Sequence, residues 1–113
     1  NMSAVTGACL MVKAELYDAM GGLDEKNFAV AYNDVDFCLK LRDAGYLNVF
    51  TPFAEAYHYE SKSRGSDNEG ANALRYRGEK QRFVEKYAAM MGEGGDPYYN
   101  PHFTLLYENY GYK

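Results

Sequence analysis

The chain has 113 residues, of which 47% are hydrophobic and 25% charged, with a formal net charge of −4. That composition fits one soluble globular domain with a modest core. The acidic balance excludes a general nucleic-acid binder, which carries a basic surplus or stripe, and no apolar run approaches the ~20 residues that span a bilayer.

In chain order, residues 4–12 form a continuous apolar run with small residues at its centre, which predicts a strand buried on both faces. Gly7 within it would let a ligand or a neighbouring backbone approach closely, or would mark a bulge. Residues 13–20 read as a short helix stopped by Gly21-Gly22, the first glycine a left-handed cap. Residues 23–32 have no period and read as a returning loop. The next helix is expected near residues 34–44, ended by Gly45, and residues 46–50 as a strand broken at Thr51-Pro52. Residues 54–60 alternate as a second short strand, with His58 and Glu60 on one face. Residues 61–70 read as a mobile polar loop. A longer helix spans residues 71–91, with Tyr76, Phe83, Val84, Tyr87, Met90 and Met91 as its apolar stripe and Arg75, Arg77, Lys80, Arg82 and Lys86 on a solvated face. The tail, residues 96–113, opens with turn chemistry in Asp96-Pro97-Tyr98-Tyr99-Asn100-Pro101 and is rich in tyrosine.

The stretch Asn33-Asp34-Val35-Asp36-Phe37-Cys38-Leu39 concentrates the chemistry. On a helical wheel Asp36, Lys40 and Asp43 share a polar stripe that reads as a solvated edge. Asp34 falls on the apolar arc beside Cys38 and Leu41, where a carboxylate is costly unless it is paired, capped or employed. Partial burial would raise its pKa and the positive helix end would lower it, so Asp34 suits a base that stays ionised near neutral pH. From this stretch alone a purely structural reading is favoured, because capping needs no other residues: Asn33 as N-cap, Asp36 closing a variant capping box, and Asp34 favouring the dipole. As metal ligands the two acids are poorly matched, because they point about 200° apart on a helix.

Elsewhere, His58 at a strand end with Glu60 on the same face is the metal candidate. Ser61, Ser63, Lys62 and Arg64 offer hydroxyls and cations suited to a phosphate. Cys9 and Cys38 lie in apolar stretches without metal-type spacing and read as reduced core thiols of a cytoplasmic protein. Twelve tyrosines and six phenylalanines with no tryptophan would serve a sugar-stacking cleft or a core.

Taken together, Val5-Thr6-Gly7-Ala8-Cys9-Leu10-Met11-Val12, Gly21-Gly22-Leu23-Asp24-Glu25, Asn33-Asp34-Val35-Asp36-Phe37-Cys38-Leu39-Lys40-Leu41-Arg42, Ala44-Gly45-Tyr46, Thr51-Pro52 and His58-Tyr59-Glu60-Ser61-Lys62-Ser63-Arg64-Gly65 resemble the second half of family 2 glycosyltransferases. The order and spacing are those of its rhamnosyltransferase-like and O-antigen or capsule-type members. The resemblance implies an α/β fold: part of a GT-A (nucleotide-diphospho-sugar transferase) fold, short strands with flanking helices, lacking the nucleotide-binding half. Residues 1–113 would then be the acceptor-side piece of a longer inverting enzyme and inactive alone.

That enzyme would move a sugar from a nucleotide-diphosphate sugar to a glycan or lipid-linked acceptor, with Mg²⁺ or Mn²⁺ as cofactor. By the same resemblance Asp34 is the catalytic base. Thr6, Gly7, Ala8, Asp36, Ser63 and Arg64 contact substrate, and His58 binds the metal. Tyr59 departs from the family, where many members carry a second histidine. A half-domain with an uncovered edge is also expected to self-associate. The rival reading, a non-catalytic carbohydrate-binding or interaction module, rests on aromatic content and small size.

Overall fold

The computed structural model describes residues 1–59, 69–90, 92, 95–107 and 109–113. Three α-helices organise them: α1 (Ala14–Ala19), α2 (Asn33–Asp43) and α3 (Gly70–Tyr87), preceded by a 3-10 turn at Gly7–Cys9. The helix expected near residues 34–44 is α2, and α3 ends four residues short of the expected residue 91, which lies outside the described residues.

α1 stops where the glycines predict. Gly21 and Gly22 both take positive φ, 79° and 66°, a region open to glycine at little steric cost. A Cβ at Gly22 would also lie 2.9 Å from the Tyr17 ring, which packs there. The Lys40 ammonium reaches back from α2 to donate to the Gly22 carbonyl at 2.8 Å and the Met20 carbonyl at 3.3 Å. It thereby satisfies acceptors that the end of α1 leaves open. Tyr17 closes the same junction with its ring 5.3 Å from that of Phe37.

The strands expected at residues 4–12, 46–50 and 54–60 are not formed among the described residues. Where pairing is seen it is limited to the isolated bridges Met2 with Asn48 and Phe103 with Tyr112. Residues 4–12 are instead interrupted by the 3-10 turn, with Thr6 and Leu10 extended on either side of it. The physical reason is that a strand is stable only against a neighbour. Here the extended chain before the turn lies along α2 instead. Cys9, expected in the core, is exposed, whereas Cys38 is buried. Met11 is 98% exposed.

The core sits between α2, α3 and the loop that precedes α2. Phe28, Leu39, Phe83 and Tyr87 form it, with Tyr32, Val35 and Met90 packed against it. Of the stripe expected on α3, Phe83 and Tyr87 are buried, but Val84 is 48% exposed. A charged residue, Glu79, is instead buried on the face of Phe83, four residues before it.

The tail folds back on the far end of α2. The Ser3 hydroxyl donates to Asp96 Oδ1 and receives a hydrogen bond of 2.9 Å from Arg42, whose guanidinium lies 5.3 Å from the Tyr98 ring centroid. An open cavity of about 670 Å³ in this tail, lined by Tyr99, Thr104, Leu105, Leu106, Tyr107 and Tyr110, includes none of the candidate residues. Among the described residues no helix is long and apolar enough to cross a membrane.

Candidate functional site

Asp34 occupies the first turn of α2, half-buried. Its Oδ2 accepts the Gly7 amide at 2.8 Å and its Oδ1 accepts the Val35 amide at 2.8 Å. Each oxygen of an ionised carboxylate has room for more than one donor. Asp34 can therefore accept a further hydrogen bond, as from a hydroxyl, while staying anchored. Thr6 shapes the turn that brings Gly7 there: its hydroxyl accepts the Ala8 amide at 3.4 Å and its carbonyl accepts Cys9 N–H at 3.2 Å. Thr6, Gly7 and Ala8 are all exposed, so the three predicted sugar-site residues and Asp34 stand together in one accessible place.

Asp36 is a correction. The wheel puts it on a solvated edge, yet its side chain is 0% exposed. Lys86 donates to its Oδ1 at 2.6 Å and the Tyr87 hydroxyl to the same oxygen at 2.5 Å, while the Lys40 ammonium stands 3.9 Å from Oδ2. The reason is tertiary: α3 lies across the stripe that a wheel of α2 alone leaves open to water. A buried carboxylate is tolerable only when paired and hydrogen-bonded, and α3 supplies both groups. Burial, followed by the hydrogen bond to Asp36, pushes the Tyr87 phenol well above its ordinary value. The acids therefore diverge, Asp34 towards the 3-10 turn and Asp36 into the α2–α3 junction.

The cap of α2 is a second correction. Tyr32, not Asn33, is the N-cap, and it makes no side-chain capping bond. Asn33 begins the helix and donates its amide to the Val30 carbonyl at 3.2 Å. Tyr32 takes φ 66°, ψ 0°, a left-handed conformation that costs a residue with a Cβ about 1–3 kcal/mol. The conformation is held from α3. The Tyr32 ring stacks on Phe83 at 4.8 Å and on Tyr76 at 5.8 Å, and its hydroxyl pairs with that of Tyr76 at 3.0 Å. Burial and that pairing push the Tyr32 phenol up to about 12.

Glu79 is the residue that sequence reasoning missed. Its two carboxylate oxygens accept the successive amides of Val30 and Ala31, each at 3.0 Å, and Arg75 donates to Oε2 at 2.5 Å. The basic face expected to be solvated is thus partly employed: Arg75 on Glu79, Arg82 on the Asn27 carbonyl at 2.9 Å, and Lys86 on Asp36. The signal was present in the spacing. Tyr76, Glu79, Phe83 and Tyr87 follow at helical intervals of three and four, which sets one acid in the middle of an aromatic stripe.

Of the remaining candidates, Ser63 and Arg64 lie outside the described residues, together with Glu60. His58 is exposed, in a segment without regular secondary structure. Among the described residues no three His, Cys, Asp or Glu side chains converge as a metal site would require. The described residues therefore do not make up a metal centre by themselves.

Comparison with known proteins finds relatives of this chain. The chain is 47% identical over 105 residues to the uncharacterized protein y4gI of Sinorhizobium fredii. It is 37% identical over 107 residues to the O-antigen biosynthesis protein RfbC of Myxococcus xanthus. It is 38% identical over 63 residues to an N-acetylglucosaminyl-diphospho-decaprenol L-rhamnosyltransferase of Mycobacterium tuberculosis. These matches cover 93%, 93% and 56% of the chain but only 11%, 8% and 20% of the relatives. The chain thus spans a small part of the length of each protein it matches. No protein-family model matches it, and neither does any solved structure. The relationship to proteins named for O-antigen biosynthesis and rhamnosyl transfer agrees with the glycosyltransferase resemblance of the motifs.

Proposed function

We propose that this chain is the base-bearing, acceptor-side part of an inverting glycosyltransferase of family 2 and GT-A type. In this reading the enzyme transfers a hexose, rhamnose among the candidates, from a nucleotide-diphosphate sugar to a hydroxyl of a glycan or lipid-linked acceptor on the cytoplasmic side of the membrane. The observation that carries the reading is Asp34: an accessible carboxylate at the first turn of α2, anchored by a backbone amide at 2.8 Å, in a chain related to a named rhamnosyltransferase.

In such a displacement the acceptor hydroxyl attacks the anomeric carbon, and its proton passes to a base within hydrogen-bond reach while the diphosphate departs. Asp34 would take that proton. Thr6, Gly7 and Ala8 would border the sugar, and Ser63 with Arg64 would approach the diphosphate or the acceptor. Asp36, predicted as a substrate contact, has its Oδ1 committed to Lys86 and Tyr87 and is better read as the link between α2 and α3. A divalent cation, Mg²⁺ or Mn²⁺, belongs to the reading as the stabiliser of the departing diphosphate. His58 would give it one ligand and other parts of the protein the rest. This stretch alone would then not turn over.

The test is a donor-hydrolysis and transfer screen of the full-length protein with nucleotide sugars and either cation, comparing wild type with Asp34→Asn. Loss of a general base is worth about 10²–10⁴-fold. We expect a fall in that range with donor binding retained, and equal rates would leave Asp34 as a structural residue at the helix start.

A further inference from the structure

The N-terminal segment meets α2 at regular intervals. Ser3 contacts Arg42, with 2.9 Å between the hydroxyl and the guanidinium. The Val5 amide donates to Cys38 Sγ at 3.5 Å, and the thiol is oriented back towards the Val5 carbonyl at 3.8 Å. Gly7 N–H donates to Asp34 Oδ2 at 2.8 Å. Two residues of segment thus match four of helix, in opposite directions. The match is geometric: two extended residues advance ~6.6 Å and four helical residues ~6 Å. Asn48 secures the start of this rail, with its side-chain amide donating to the Ser3 carbonyl at 2.9 Å and the Cys38 carbonyl at 3.1 Å.

We propose that Gly7, at the end of this rail, is a positioning residue for Asp34. Its backbone amide sets where the carboxylate points, and its lack of a side chain is what allows the approach. The proposal rests on the reading of Asp34 as the base. A Cβ at Gly7 would lie 3.1 Å from Asp34 Cβ and 3.4 Å from Oδ2. The nearer of these atoms is the stem of the side chain, so it cannot swing aside without carrying the carboxylate with it. The tip alone has no way to absorb the contact. The 3.1 Å contact makes Asp34 give by a few tenths of an ångström, a fraction of the ~1 Å misplacement that costs on the order of 10²-fold in rate. Gly7 thus has a task beyond bordering a sugar.

The experiment compares Gly7→Ala, Asp34→Asn and Cys9→Ala in the full-length protein, with kcat and KM measured for donor and acceptor. Cys9 is an exposed residue of the same turn and serves as the control. We expect Gly7→Ala to lower kcat by about three- to tenfold with both KM values within about twofold and the melting temperature retained, and Cys9→Ala to match wild type. A collapse in Asp34→Asn with Gly7→Ala at wild-type rates overturns the positioning role alone. Wild-type rates in Asp34→Asn overturn the base reading and the proposal with it. Should Gly7→Ala fail to fold, residue-resolved hydrogen exchange of wild type and Asp34→Ala decides instead. Gly7 N–H is expected to exchange at least tenfold faster in the variant, and equal exchange overturns the proposal.

Discussion

Two tyrosines of the α2–α3 junction carry phenols that the fold keeps protonated. Tyr32 is pushed from 10 up to about 12 by burial and the hydroxyl of Tyr76, and Tyr87 is raised further by burial and Asp36. A group whose folded pKa exceeds its unfolded one contributes stability in full below the unfolded value, and that contribution is lost as pH rises through the folded one. Stability is therefore expected to hold up to pH 10 and to decline from 10 towards about 12. Denaturant unfolding across the alkaline range checks it: Tyr32→Phe should show a shallower decline than wild type. Equal slopes would mean that Tyr32 titrates alike folded and unfolded. At this scale the sequence was half legible. A wheel shows which residues share a face of α2, and it placed Asp34 beside Cys38, as the rail of residues 3–7 confirms. It could not show that the opposite stripe, with Asp36, has a neighbour.

Between elements, α3 acts as a splint for the loop that delivers Asp34. Arg82 meets Asn27, Glu79 meets Val30 and Ala31, Tyr76 and Phe83 meet Tyr32, and Lys86 with Tyr87 meets Asp36. These contacts span α3 from Tyr76 to Tyr87. Glu79→Gln tests the splint: one acceptor becomes an amide donor facing a backbone N–H, and a buried group left unpaired costs about 1–3 kcal/mol. We expect that loss by urea unfolding, together with faster hydrogen exchange at Val30 and Ala31. Unchanged exchange would remove Glu79 from any role in shaping the turn before α2.

For the molecule as a whole, the small core contrasts with a large uncovered apolar surface. Met11, Phe53 and Tyr57 are 98%, 95% and 93% exposed, and Leu47, Val49 and Phe50 are also exposed. Exposed apolar side chains, and extended backbone without strand pairing among the described residues, are what partner surfaces leave behind. The chain spans 11% and 8% of two of its relatives, and a protein of their length would have chain to cover this surface. Expressed alone, residues 1–113 are expected to self-associate, which sedimentation velocity over a concentration series reads directly. A monomer at every concentration would count against it.

The helices were determined by the sequence alone, because helical hydrogen bonds join residues four apart and their signals, period, capping glycines and polar starts, lie in contiguous residues. So was the placing of Asp34 on the same face of α2 as Cys38, the face that the N-terminal segment meets. Only the tertiary structure decided that residues 4–12 lie along a helix around a 3-10 turn instead of entering a sheet. It also decided that Tyr32 strains to cap α2, and that Asp36 and Glu79 are interior. Each of those outcomes depends on partners far away in the chain, 50 residues for Asp36 and Lys86 and 49 for Val30 and Glu79, where no local pattern says which surfaces will meet.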